Sequence, residues 1–148
     1  MKTRVAIVVS HPIQHFAPLY RALAKQPELE LKVFFCSRIG LDSYFDPGFG
    51  VEFKWETNLL DGYDSEFLDR ANEIKKHSFL GLRSGNLGAK LASYKPDVVQ
   101  VYGYGYLVAL QALLWCELHG VPALLMSDSE LMHARPPHIR LAKRLVLP

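Results

Sequence analysis

Short runs of apolar, mostly β-branched residues alternate in this chain with stretches of helical periodicity, and this alternation is what most restricts its fold. Residues 4–9 carry no charge after Arg4 and are typical of a strand buried on both faces. Residues 16–25 then place apolar side chains at helical spacing and end at Gln26-Pro27. Together with the apolar run 29–36 they predict a right-handed strand–helix–strand unit.

The second half of the chain continues the alternation. The predicted elements there are a helix at 86–94, a strand at 97–102, a helix at 106–119 ended by Gly120, a strand at 122–126 and a basic amphipathic helix at 137–147. Between the halves, residues 51–57 alternate and are interpreted as the third strand. Residues 37–50 and 59–82 show no regular period, and we interpret them as excursions on the substrate side.

This order of elements predicts an α/β fold: a Rossmann-like, doubly wound, mostly parallel sheet flanked by helices. We expect the strand order 3-2-1-4-5, with a ligand site where the winding reverses, between strands one and four. A length of 148 residues fits one domain. Because such sheets normally continue, we expect residues 1–148 to be the first domain of a longer protein.

Composition excludes several classes. The chain is 49% hydrophobic and 22% charged, as globular proteins are, and its net charge of +2 does not favour nucleic acid as a partner. Cys36 and Cys116 both lie in apolar runs, which favours buried, reduced thiols and a cytoplasmic location. The first apolar run, residues 5–9, is shorter than a signal peptide or a membrane span requires.

The loop after the first strand is the first candidate site. Its polar residues His11, Gln14 and His15 face the predicted cleft beside the start of a helix, where free N–H groups favour anions. These side chains either contact a phosphate or a sugar hydroxyl, or they cap and pack the turn. A zinc site through His11 and His15 needs further ligands that the loop does not supply.

The loop after the fourth strand is the second candidate. Gly103 and Gly105 allow a ligand to approach the backbone, and Tyr102 and Tyr104 offer flat surfaces with hydroxyl groups for a sugar or lipid acceptor. The same tyrosines also fit an aromatic core. The spacing of the two glycines begins a dinucleotide fingerprint, but Val108 stands where the third glycine belongs.

Two features near the end of the chain have both a structural and a functional interpretation. Ser127, Asp128, Ser129 and Glu130 follow the fifth strand and form either the cap of a helix or a set of acceptors, including a general base, for sugar hydroxyls. The basic helix predicted at 137–147 either lies on an anionic membrane surface or is a solvated outer helix.

Three segments, residues 5–23, 95–103 and 122–131, resemble the amino-terminal domain of family 4 (group 1) glycosyltransferases. The resemblance implies the GT-B architecture, in which two Rossmann-like domains enclose the cleft. The first domain mainly binds the acceptor and the second mainly binds the nucleotide sugar, which is transferred with retention, usually without a metal. Tyr102 stands where many members have a histidine, and the loop from His11 to His15 lacks their glycines.

The resemblance therefore implies a transferase half with no cofactor, a nucleotide-diphosphate sugar as donor substrate and a sugar or lipid-linked acceptor. The donor-binding domain would be supplied in cis or in trans. The chain alone would be inactive, because one domain lines only one wall of the cleft and leaves the reacting groups exposed to water. No catalytic residue is assigned. The alternatives are a non-catalytic Rossmann-like binding module, one half of a split glycosyltransferase, a nucleotidylyltransferase or a dinucleotide-binding domain. The nucleotidylyltransferase is considered because residues 12–15 resemble the histidine signature of that superfamily.

Overall fold

The computed structural model describes residues 1–41 and 58–127, together with the backbone of two short strands at 44–46 and 51–53. The elements are β1 (Thr3–Val9), α1 (Ala17–Ala24), β2 (Leu29–Phe35), β3 (Tyr44–Asp46), β4 (Val51–Phe53), β5 (Asp64–Phe67), α2 (Leu87–Tyr94), β6 (Val98–Tyr102), α3 (Leu107–His119) and β7 (Ala123–Met126). Among the described residues, no helix is long and apolar enough to cross a membrane.

Five strands form one parallel sheet in the order β5-β2-β1-β6-β7, which confirms the predicted α/β class. The winding reverses between β1 and β6, as the order 3-2-1-4-5 requires. The strand predicted at 51–57 is present at Val51–Phe53 as β4, but its placement as the third strand of the main sheet was wrong, since that place belongs to β5. Instead, β4 pairs antiparallel with β3 in a separate two-stranded sheet.

Strand β5 is polar because it lies at the sheet edge and is stabilised partly by charge. Lys32 on β2 contacts the carboxylates of Asp64 (3.5 Å) and Glu66 (3.2 Å), and Lys90 on α2 forms a further ion pair with Glu66. These contacts explain why hydrophobic periodicity misses the strand: three of its four residues are polar.

The sheet has a packed core on each face. On one face, Val8, Val99 and Val101 pack against α2 and α3 through residues such as Leu91 and Ala112. On the other face, Ile7, Val9, Val33 and Phe35 pack against Tyr20 of α1. Burying a large apolar side chain contributes about 1.5–3 kcal/mol, so these two layers supply most of the driving force for folding.

The predicted helices over 16–25, 86–94 and 106–119 are confirmed within a residue or so at each end. Gly120 ends α3 in the left-handed region (φ 64°), as its position predicts. Cys36 and Cys116 are free and buried, in agreement with the expectation of reduced thiols. The helix predicted at 137–147 lies outside the described residues.

Candidate functional site

The candidate site lies at the carboxyl edge of the sheet, where the central strands β1 and β6 end side by side. The segment that follows β1 leads into α1, and the segment that follows β6 leads into α3. The two helices cover opposite faces of the sheet, so the backbones diverge at this point and leave a crevice.

The end of β1 is fixed by hydrogen bonds from the end of β2. The carbonyl of Ser10 accepts from both the N–H (2.8 Å) and the hydroxyl (3.1 Å) of Ser37, which is fully buried. A hydrogen bond of 2.8 Å then joins the Ser10 hydroxyl to Nδ1 of His11. The imidazole of His11 is therefore oriented by its own strand and presents its Nε2 edge away from Ser10.

His11 packs against a second histidine from a distant part of the chain. The ring centroids of His11 and His77 are 4.3 Å apart at an interplanar angle of 40°, and His77 in turn lies 6.0 Å from the ring of Tyr106. Burial, with a smaller effect of His77, lowers the pKa of His11 to about 4. Partial burial also lowers the pKa of His77, so the neutral form of both rings is favoured at pH 7.

Sequence reasoning missed His77. The residue lies in the aperiodic stretch 59–82, beside Lys75 and Lys76, and no motif or spacing there indicates that its ring meets His11. Only the three-dimensional path of that stretch, which returns to the start of α3, brings the two rings together.

A row of aromatic rings lies on the α1 side of the crevice. His15 contacts Phe16 (ring centroids 4.4 Å apart), and Phe16 contacts the edge of Tyr102 at 4.8 Å. Phe16 also stacks on Tyr20, which belongs to the core. The sequence left open whether Tyr102 belongs to an aromatic core or to the site. In the structure it packs against the core and also lies at the carboxyl edge of the sheet.

Gly103 and Gly105 follow β6 directly, at the carboxyl edge of the sheet. Gly103 adopts a left-handed backbone (φ 71°), and its N–H donates to the carbonyl of Met126 (2.7 Å). Apart from the glycine itself and its two neighbours in the chain, no atom of the described residues lies within 4 Å of the position that a Cβ would occupy at either glycine. A ligand can therefore approach this backbone closely.

The start of α3 is not available to a dinucleotide. The N–H groups of Leu107 and Val108 donate to the carbonyls of Phe79 (3.0 Å) and Leu82 (2.8 Å). A pyrophosphate bound by the Rossmann fingerprint needs such groups free at the helix start, so these two bonds argue against that alternative.

The anion site expected at the start of α1 is also largely closed. The N–H groups of Phe16 and Ala17 both donate to the carbonyl of Ile13 (3.1 and 3.3 Å). The next residue, Pro18, has no N–H group. Hydroxyl groups fit this part of the site better than a phosphate does.

Family models and curated proteins add no identification. The sequence matches no protein-family model, and no curated protein matches it significantly. Any assignment of function consequently rests on the geometry of the site and on the sequence resemblance.

The remaining predicted site residues fall into two groups. Gln14 is exposed beside His15, Tyr104 is half-buried, and Ser127 is exposed directly after β7, so these side chains lie at the same edge of the sheet. Asp128, Ser129 and Glu130 lie outside the described residues.

Within the described residues, no group of three histidine, cysteine or acidic side chains could hold a metal ion. His11 and His15 have different neighbours, since His11 contacts His77 and His15 contacts Phe16.

Proposed function

We propose that this chain is the acceptor-binding domain of a retaining glycosyltransferase that uses a nucleotide-diphosphate sugar. The observation that carries the proposal is the crevice between β1 and β6, which is lined on one side by the neutral pair His11 and His77 and on the other by the row His15, Phe16 and Tyr102. The sequence resemblance supports the same assignment.

The chemistry of this lining suits a sugar. A neutral imidazole carries one donor and one acceptor nitrogen, which matches the dual character of a hydroxyl group, whereas an imidazolium can only donate. The lowered pKa of His11 keeps its ring in the neutral form at pH 7. Aromatic faces and edges such as those of Phe16 and Tyr102 pack against the C–H groups of a pyranose ring.

The proposal assigns the donor to a second Rossmann-like domain, in cis or in trans. Transfer of a glycosyl group develops positive charge on the sugar and negative charge on the departing diphosphate, and both need a closed, water-poor cleft. In this proposal the described residues supply one wall of such a cleft. We therefore expect acceptor binding, but no transfer, from this chain alone.

The test is an NMR titration of the chain that follows the histidine ring signals. The probes are octyl glucoside as an acceptor-like sugar, UDP-glucose as a donor, and NAD and UTP as probes of the alternatives. We expect octyl glucoside to shift the signals of His11, His15 and His77, but not that of His119 at the far end of α3. The variant His15→Ala should weaken this binding, whereas His119→Ala should not.

Each alternative has its own outcome. Binding of NAD would support a dinucleotide domain, and binding of UTP would support a nucleotidylyltransferase; either result contradicts the proposal. Sugar binding that persists without turnover after a donor-binding domain is supplied would identify a non-catalytic binding module.

A further inference from the structure

Residues 78–82 form a tight turn that presents two apolar side chains to solvent. The N–H of Leu82 donates to the carbonyl of Ser78 (3.1 Å), and the N–H of Gly81 donates to the Ser78 hydroxyl (3.0 Å). At the tip, Phe79 is 46% exposed and Leu80 is 62% exposed. Neither side chain belongs to one of the two core clusters, and exposing two large apolar side chains side by side is unfavourable in water.

The turn is a fixed part of the fold. Leu82 at its base is fully buried in the core, and the carbonyls of Phe79 and Leu82 accept the hydrogen bonds from Leu107 and Val108 described above. The apolar tip is thereby held at the first turn of α3, which begins at the carboxyl edge of the sheet. Only Ser78 separates the tip from His77, whose ring contacts His11 at the crevice.

Positive charge flanks the apolar tip on both sides. Lys75, Lys76 and Arg83 are exposed, and within the described part of the chain none of them forms an ion pair or a hydrogen bond through its side chain. The nearby carboxylates are already engaged. Glu73 contacts Arg70 (3.1 Å), and Asp69 accepts hydrogen bonds from the Ser84 hydroxyl and the Gly85 N–H.

We propose that segment 75–83, which contains this turn, docks on an anionic lipid surface, with Phe79 and Leu80 entering the interfacial layer and the three cations contacting lipid phosphates. Stable attachment to a membrane surface requires two contributions, apolar insertion and electrostatic attraction, and this segment carries both. The inference goes beyond the proposed function, because it needs neither a donor nor an acceptor. It is also separate from the 137–147 segment.

The charge pattern favours lipid over an acidic protein. A protein partner would need a concave groove shaped to a two-residue convex tip, whereas a bilayer deforms around any convex apolar tip. Unpaired cations precede and follow that tip in the sequence, so a surface of phosphates can contact them while the tip inserts.

The experiment is co-sedimentation of the full chain with vesicles of phosphatidylcholine alone or with phosphatidylglycerol added. We expect binding only to the anionic vesicles, weakened by salt as the screening length falls from about 8 Å at 0.15 M to about 3 Å at 1 M. Phe79→Ser with Leu80→Ser should weaken binding by at least about tenfold. Lys75→Glu with Lys76→Glu should weaken it by more than about fivefold for each lysine.

Matched controls use equally exposed residues elsewhere. Leu114→Ser with Leu118→Ser removes two leucines that are 59% and 72% exposed on α3, and Lys2→Glu with Lys25→Glu reverses two exposed lysines at the opposite edge of the sheet. Both control variants should bind like the original chain. If the double variant of the tip fails to fold, Leu80→Ser alone makes the same test, because its side chain is mostly in solvent.

Three results would overturn the proposal. The first is no binding to phosphatidylglycerol vesicles. The second is binding that the control pairs reduce as much as the turn variants do. The third is binding to soluble polyglutamate that matches vesicle binding and is insensitive to the Phe79 and Leu80 changes, which would point to an acidic protein instead. The vesicle assay and the sugar titration are independent, so the failure of one leaves the other result intact.

Discussion

The ring centroids of His11 and His77 lie 4.3 Å apart, although the two residues are distant in the sequence. His11 follows the end of β1, and His77 belongs to the aperiodic stretch between β5 and α2. Two imidazoles at this distance disfavour protonation of each other. Burial contributes more than the neighbouring ring does to the low pKa of His11. The two contributions can be separated by substitution.

Replacement of His77 with phenylalanine should keep His11 covered while removing the second titrating ring. We expect the pKa of His11 to stay well below 6.5 in His77→Phe and to rise further in His77→Ala, which uncovers the ring. An NMR titration of the histidine ring signals measures both values. Equal, full recovery to 6.5 in both variants would show that charge, and not burial, sets the pKa.

The lowered pKa of His11 also determines how the stability of the chain should depend on pH. Because the pKa of His11 is lower in the folded chain, the unfolded chain binds more protons between pH 6.5 and about 4. The free energy of unfolding should therefore be greatest above pH 6.5 and fall as the pH decreases through this range. Urea denaturation at a series of pH values measures it.

His11→Asn is the matched variant for this pH effect. Its free energy of unfolding should depend less steeply on pH above about 5, where histidines dominate. Below that range Glu66 adds its own loss of stability, since its pKa is lowered, chiefly by its hydrogen bond to Lys90. An unchanged slope in His11→Asn would show that another group is responsible.

Gly103 and Gly105 offer a test of backbone strain without a steric clash. No atom of the described residues would meet a new Cβ at either position, but only Gly103 has a left-handed backbone. Gly103→Ala should lower the free energy of unfolding by about 1–2 kcal/mol, whereas Gly105→Ala should leave it unchanged or slightly raised. Urea denaturation distinguishes the two, and equal effects would contradict the strain argument.

The two cysteines should be unreactive in the folded chain. Burial raises the pKa of Cys36 to about 12 and that of Cys116 to about 11, so neither forms an appreciable amount of thiolate at neutral pH. We expect a thiol reagent to modify the native chain at least about 100-fold more slowly than the unfolded chain. Rapid modification of native protein would show that one of the thiols is accessible.

The parts of the fold that hydrophobic periodicity encodes could be predicted from sequence. Strands β1, β2, β6 and β7 and the three helices of the described residues follow from apolar runs and spacing, because these patterns lie within each element. Strand β5 could not be predicted, because its residues Asp64 and Glu66 depend on Lys32 and Lys90 from other elements. Local sequence carries no record of such partners.

Some features of the candidate site could likewise be predicted from the sequence, and others could not. The positions of His11 and Tyr102 follow from their places at the ends of central strands. The contact with His77 and the occupied N–H groups of Leu107 and Val108 arise from the path of residues 76–82 through space. A histidine in an irregular stretch has no periodic neighbours, so its role became visible only in the structure.

The charged strand at one side of the sheet also bears on self-association. An edge strand presents unpaired backbone groups to which another chain could add a strand. Here an incoming strand would pair with a strand whose carboxylates, Asp64 and Glu66, are charged, and it would have to remove water from them. The charged residues that stabilise β5 therefore also disfavour the addition of further strands at this edge of the sheet.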